Sequence, residues 1–210
     1  MDSPDTNFVI RPMRKADIDG AYRVCLLTGD SGASAEPLYS NPRLLGEVYV
    51  GPYFQYCPEN CFILENPETG EVVGYTLGTP DTISFTSQLT EYWFPVVRAR
   101  LEQANHASTQ MLPADQEIIE FINDPQPAPA QVVSEFPAHG HIDLLPQAQG
   151  RGYGNTMMNL LLESVHQAGA SGLYLEVSEV NARALHFYEK LGFHPSVSRG
   201  DAIYLGKHFT

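Results

Sequence analysis

Residues 149–154 read Gln-Gly-Arg-Gly-Tyr-Gly and stand between an apolar strand, His141–Leu145, and an amphipathic helix from about Gly152 to Ala168. Three glycines in six positions let the main chain turn sharply, come close to a ligand and point several N–H groups outward. The following helix aims the positive end of its dipole at the same spot. Strand, glycine turn and helix N-terminus in that order form a seat for a pyrophosphate and belong to an α/β chain.

The turn excludes two common occupants. It is not a Walker A loop, because no Gly-Lys-Ser/Thr follows. It is not a dinucleotide fingerprint, because Asn155 stands where Gly-x-Gly-x-x-Gly needs its last glycine. It fits Gln/Arg-x-x-Gly-x-Gly/Ala through Gln149, Gly152 and Gly154, a loose pattern on its own. With 210 residues and 43% hydrophobic content, the chain reads as one domain, 1–210, around one core. No apolar run reaches the length of a membrane span, and Met1-Asp2-Ser3-Pro4-Asp5 does not look like a signal peptide. Cys25, Cys57 and Cys61 are too few for a disulfide framework, which points to the cytoplasm. Cys57 and Cys61 lack a second Cys or His pair, so no metal site is expected. A net charge of −13 argues against nucleic acid as a partner and suits a cationic second substrate.

Strands and helices alternate along the sequence. Phe8–Arg11 reads as a strand and Ala16–Leu27 as a helix. Gly29–Ser40 reads as a loop, and Arg43–Phe54 as another helix. Cys61–Glu65 and Val72–Gly78 form a strand pair around the turn Pro67–Gly70. Residues 81–137 interrupt the rhythm with helical patterns at Leu89–Ala104 and Ala114–Ile122, as a surface excursion or as a cap over the site. In the helix after the glycine turn, Met157, Met158, Leu160, Leu161 and Val165 form the expected buried stripe. Leu173–Val177 is the next strand, Asn181 caps a helix running to Leu191, and Gly192 supplies its left-handed stop. Strands near Pro195–Ser198 and Ala202–Lys207 close the chain.

The segment Asn181-Ala182-Arg183-Ala184-Leu185-His186-Phe187-Tyr188-Glu189-Lys190-Leu191-Gly192-Phe193 turns the loose pattern into a specific one. With the glycine turn before it, the chain resembles the GNAT superfamily of N-acetyltransferases over residues 141–193. Cys61–Glu65, Gly74–Thr79 and Phe136-Pro137 ahead of Ile142-Asp143 are similar to the acetyltransferase-like C-terminal domain of O-GlcNAcases and to its free-standing microbial relatives. The resemblance implies a GNAT fold: a mixed central sheet of six or seven strands, flanked by helices, with a helical insertion ahead of the cofactor strand. It also implies acetyl-CoA as cofactor. The backbone of Ile142, Asp143 and Leu144 would pair with the pantetheine arm. N–H groups across Gln149, Gly150, Arg151, Gly152, Tyr153 and Gly154 would hold the pyrophosphate. Asn181 would contact the pantetheine, with Ala184 and Phe187 at the thiol end. Arg151, Arg183 and Lys190 are the nearby cations, the last two also readable as solvated charge.

Transfer to an alkylamine requires removing a proton from a group with a pKa of about 10.4, which costs about 4.6 kcal/mol at pH 7. The departing thiolate needs a proton too, and the resemblance assigns that role to Tyr188, which otherwise reads as a core aromatic. Asp143 and Glu176 are the two candidate bases, with His141 third. Two functions follow: an N-acetyltransferase acting by direct attack in a ternary complex, or a coenzyme-A-binding module without transferase activity. The acceptor is not written in a motif, although Tyr39, Tyr75, Trp93, Asp30 and Asp81 are candidates for lining an amine pocket.

Overall fold

The computed structural model describes residues 7–104 and 111–209. Seven strands build one mixed sheet: β1 (Val9–Pro12), β2 (Cys61–Glu65), β3 (Val72–Thr79), β4 (Ala138–Leu144), β5 (Gly172–Ser178), β6 (His194–Arg199) and β7 (Ala202–His208). Their order is β1-β2-β3-β4-β5-β7-β6. Only β4 and β5 run parallel; the other neighbours are antiparallel. This is the mixed, helix-flanked sheet that the sequence leads one to expect. β3 lies inside the sheet between β2 and β4 and is buried along its whole length, as its unbroken Val-Val-Gly-Tyr-Thr-Leu-Gly-Thr suggests.

On one face lie α1 (Ile18–Thr28), α2 (Leu44–Tyr49), α3 (Gly51–Tyr56) and α4 (Thr82–Gln88), whose side chains meet Tyr75, His139 and His141. On the other lies α8 (Tyr153–Gln167), which follows α5 (Phe94–Ala104), α6 (Pro113–Asn123) and α7 (Ala130–Glu135) in the chain. α9 (Ala182–Lys190) packs Tyr188 with Leu175, Val177 and Met158 on that second side. Gly78 and Gly140 are cross-strand partners, and a Cβ on Gly140 would stand 2.6 Å from the Leu77 carbonyl and 2.7 Å from Leu161. This pair of bare positions lets α8 come down onto the sheet. Among the described residues no helix is long and apolar enough to cross a membrane.

Several elements differ from the sequence reading. The helix expected over Arg43–Phe54 is broken at Val50, whose backbone leaves the helical region, and Pro52 then sits in the first turn of α3. β4 starts at Ala138, three residues early, because Ala138 and His139 pair with β5. The pattern at Leu89–Ala104 is a π-helical turn, Leu89–Trp93, leading into α5. α4 and α7 are additional, and α4 is capped by Asp81, which accepts from Ile83 and Ser84 N–H at 3.0 and 3.1 Å. In α8 Leu162 joins the buried stripe and Leu160 is only partly covered.

The helices of residues 81–137 are fastened to the body. Arg100 makes a two-pronged contact with the buried Glu47 carboxylate on α2 at 2.9 and 3.0 Å, and Trp93 Nε1 donates to the Glu47 carbonyl at 2.7 Å. Asp115, 1% exposed, accepts from the N–H groups of Ser40, Asn41 and Leu112. The loop before α2 therefore takes its shape from the insertion, since a buried carboxylate holds its donors tightly.

Candidate active site

β4 and β5 pair only at Ala138↔Leu173 and His139↔Tyr174. Beyond that they part, while β4 stays joined to β3 through Leu144 and β5 to β7 through Ser178. From Gly140 to Leu144, one backbone edge of β4 thus has no strand beside it among the described residues. The gap is a cleft with peptide groups along one wall, able to receive an extended ligand as an added strand would. Ile142 and Leu144 turn toward α8 and α9: Ile142 packs between two clusters of the hydrophobic core, and Leu144 lies beside Gly74 and Gly154.

The glycine turn lies at the end of that cleft. Gly150 and Gly152 have φ of 72° and 85°, a region open to glycine but strained for other residues, and a Cβ at either would meet nothing within 4 Å. Gly152 is the N-cap of α8 and offers no side-chain cap. The N–H groups of Gly150, Gly152, Tyr153, Gly154 and Asn155 have no acceptor among the described residues. The Gln149 N–H differs from the expectation, being taken by Pro146 O at 3.2 Å, while its side-chain amide donates to Leu144 O at 2.6 Å. The Tyr153 hydroxyl accepts from Phe8 N–H at 3.0 Å, so its side chain faces β1. Arg151 lies over the Phe8 and Tyr153 rings, at the turn. Phe187 rests its ring 3.3 Å from a Cβ position on Gly154 and so joins α9 to the turn. Asn181 caps α9 by accepting from Ala184 N–H at 3.0 Å, and Ala184 is half-buried on that helix. Arg183 and Lys190 are exposed.

The acid–base candidates divide between the two faces. Alternation along β4 brings His139, His141 and Asp143 to the α1–α4 side. Asp143 Oδ2 accepts from the Tyr75 hydroxyl at 2.5 Å, and burial pushes its carboxyl up to about 6, against the pull of hydrogen bonds from Tyr75 and Thr28. His141 Nε2 meets the Tyr53 hydroxyl at 2.9 Å and His139 Nδ1 the Thr82 hydroxyl at 2.7 Å. Burial lowers both imidazoles, to about 4 and about 3, so both are neutral at pH 7. Glu176 on β5 is exposed on the same side, where burial first and its charge second raise the phenols of Tyr49, Tyr174 and Tyr204. Tyr188 lies on the opposite side, buried, with its phenol pushed upward by burial and by the Asp143 charge. Its hydroxyl has no hydrogen-bond partner among the described residues. Carboxylates on one face and a protonated phenol on the other thus flank the opening between β4 and β5.

A sequence model of the acetyltransferase (GNAT) family matches residues 81–193, more than half of the chain and all of the cleft just described. The chain belongs to the GNAT family. Protein O-GlcNAcase of Rattus norvegicus is 29% identical to this GNAT chain over 185 residues, which cover 88% of the chain and 20% of that protein. The chain therefore spans about a fifth of the length of this curated relative. The crystal structure of SsHAT matches with a TM-score of 0.85 and 33% identity, over 96% of this chain and 98% of that one. YncA from Salmonella typhimurium, determined with its cofactor acetyl-CoA, shares the fold at a TM-score of 0.52 and 13% identity, over 96% and 94% of the two chains.

Of the residues considered for an amine pocket, Tyr75 reaches the acid–base group, whereas Asp81 caps α4 and Trp93 binds Glu47. Tyr49 and Tyr53, which meet the His141 ring edge-on, were not foreseen. The alternation His139-x-His141-x-Asp143 was the available signal, because three polar side chains on one half-buried strand face need polar partners on the helices above.

Proposed function

We propose that the chain transfers an acetyl group from acetyl-CoA to a primary amine, by direct attack within a ternary complex. One observation carries the reading: the first turn of α8 and the glycines before it hold five N–H groups without acceptors among the described residues, at the mouth of a cleft whose β4 wall has no strand beside it there. Phosphate oxygens fit the first set and a pantetheine amide the second. The acetyl-CoA of YncA supports the same cofactor for this fold. Residues 1–210 would act as one domain, with 81–137 forming part of the acceptor wall.

Bound there, acetyl-CoA would supply a thioester carbonyl open to attack by the acceptor nitrogen, the new C–N bond replacing the C–S bond. Asp143, largely ionised at pH 7, takes the proton from the incoming ammonium, general-base help of the kind worth about 10²–10⁴-fold in rate. Glu176, exposed beside Tyr204, attracts the cation at the entrance and is the alternative base. Tyr188 Oη gives its proton to the sulfur and regains one from the new amide nitrogen, so no net charge stays on the phenol. Asn181 would contact the pantetheine, with Ala184 and Phe187 bordering the thiol end. Holding the two reactants together contributes about 7–11 kcal/mol when orientation is good.

Isothermal titration with coenzyme A, followed by thiol release from acetyl-CoA across a panel of amines, tests this. Saturable binding with amine-dependent release is the expected result. Binding without amine-dependent release would replace it with the coenzyme-A-binding module, and no binding would refute both.

A further inference from the structure

Asp143 is a half-buried carboxylate with no cationic partner: no lysine or arginine pairs with it among the described residues. The titratable groups around it are Cys25 on α1, Tyr75 on β3, Tyr188 on α9 and, along its own strand, His141. Burial keeps all four neutral at pH 7. Glu176, on the same face of β5, adds only negative charge. What holds the ionised form of Asp143 is therefore a set of hydroxyl donors. Thr28 is one of them, but its single hydrogen also has the Val24 carbonyl within 2.8 Å. Tyr75 is the other. It is the direct cross-strand partner of Asp143, it is fully buried, and its hydrogen points at Oδ2 over 2.5 Å. The Cys25 thiol lies behind the same phenol.

We propose that Tyr75 is a positioning residue for acetyl transfer, whose hydroxyl fixes the Asp143 carboxylate against β3 and sets the pH above which it can accept the acceptor's proton. The inference rests on the reading of Asp143 as the base. Tyr75 does not touch either substrate; it acts through one hydrogen bond. An aromatic ring at this position would fill the core equally well, so the hydroxyl, not the ring, carries the role.

Tyr75→Phe keeps the ring and removes the hydroxyl. Two readings are taken on the full chain: the Asp143 titration followed by carboxyl-carbon NMR without ligands, and the pH profile of kcat/KM for thiol release. In the variant both the titration midpoint and the acid limb are expected to move up by about one pH unit, the usual worth of a hydrogen bond to a charged group. Coenzyme A affinity stays unchanged. In the unsubstituted chain, a downfield Tyr75 Oη proton that shifts as Asp143 titrates reports the same bond without substitution. A midpoint that does not move, or a fall in kcat at every pH with no displaced limb, overturns the inference, because that is the signature of packing alone. Failure of the transferase reading looks different: the unsubstituted chain then releases no thiol at any pH.

Discussion

Replacing Asp143 by Asn is expected to make the protein more stable and less active at once. Burial lifts the Asp143 carboxyl from its ordinary value of 3.8 to about 6. A group whose folded value is raised contributes stability below its unfolded value and loses that contribution as pH climbs through the folded one. At about pH 8 the ionised carboxylate therefore costs the folded state about 3 kcal/mol, the difference of roughly two pH units at 1.36 kcal/mol each. Asn is nearly isosteric, carries no charge and still offers Tyr75 an acceptor oxygen. Urea unfolding of both proteins between about pH 4 and pH 8 should give curves that nearly meet at the acid end and separate by 2–3 kcal/mol, on this order, at the alkaline end. Thiol release in the variant should fall by roughly 10²–10⁴-fold, the range for loss of a general base. Parallel unfolding curves across the whole range, or an Asn variant less stable at about pH 8, would refute the claim that Asp143 is held ionised at a cost.

Gly152→Ala, at φ 85°, should strain the turn by about 1–2 kcal/mol and weaken coenzyme A binding more than tenfold by calorimetry, with an unchanged far-ultraviolet circular dichroism spectrum. Tyr188→Phe should lower kcat by about 10²-fold while leaving coenzyme A affinity intact. The parent enzyme should show no alkaline limb from this phenol, because burial raises it well above its ordinary value. Gly140→Ala puts a Cβ 2.6 Å from a backbone oxygen that cannot move aside, and should cost about 1–3 kcal/mol in chemical denaturation. An unfolding midpoint equal to that of the parent would show that α8 can lift from the sheet without penalty.

The glycine turn was legible because its demands are local. Positive φ at Gly150 and Gly152, the Asn181 cap and the left-handed Gly192 are each set within a few neighbouring residues. The alternation of strands and helices was legible for the same reason. The break at Val50 was not, since apolar residues continue across it; Gly51-Pro52 was the only mark of a new helix. α4 escaped notice because Thr-Ile-Ser-Phe-Thr-Ser is rich in β-branched and hydroxyl residues, although Asp81 stood ready as its cap. The bond between Tyr75 and Asp143 depends on the register of strands whose partners lie 68 residues apart, which no local pattern encodes. The division of Glu176 and Tyr188 between opposite faces likewise needs the path of the chain from β5 into α9.

The anchoring of the insertion through Glu47, Trp93, Arg100 and Asp115 bears on how members of such a lineage could diverge. A recombined protein that borrowed residues 81–137 from a cousin, yet kept its own α2 and preceding loop, would inherit a lock without the matching key. Substitutions in this region should therefore arrive as coordinated sets spanning both segments, and chimeras should be cut to move the two together.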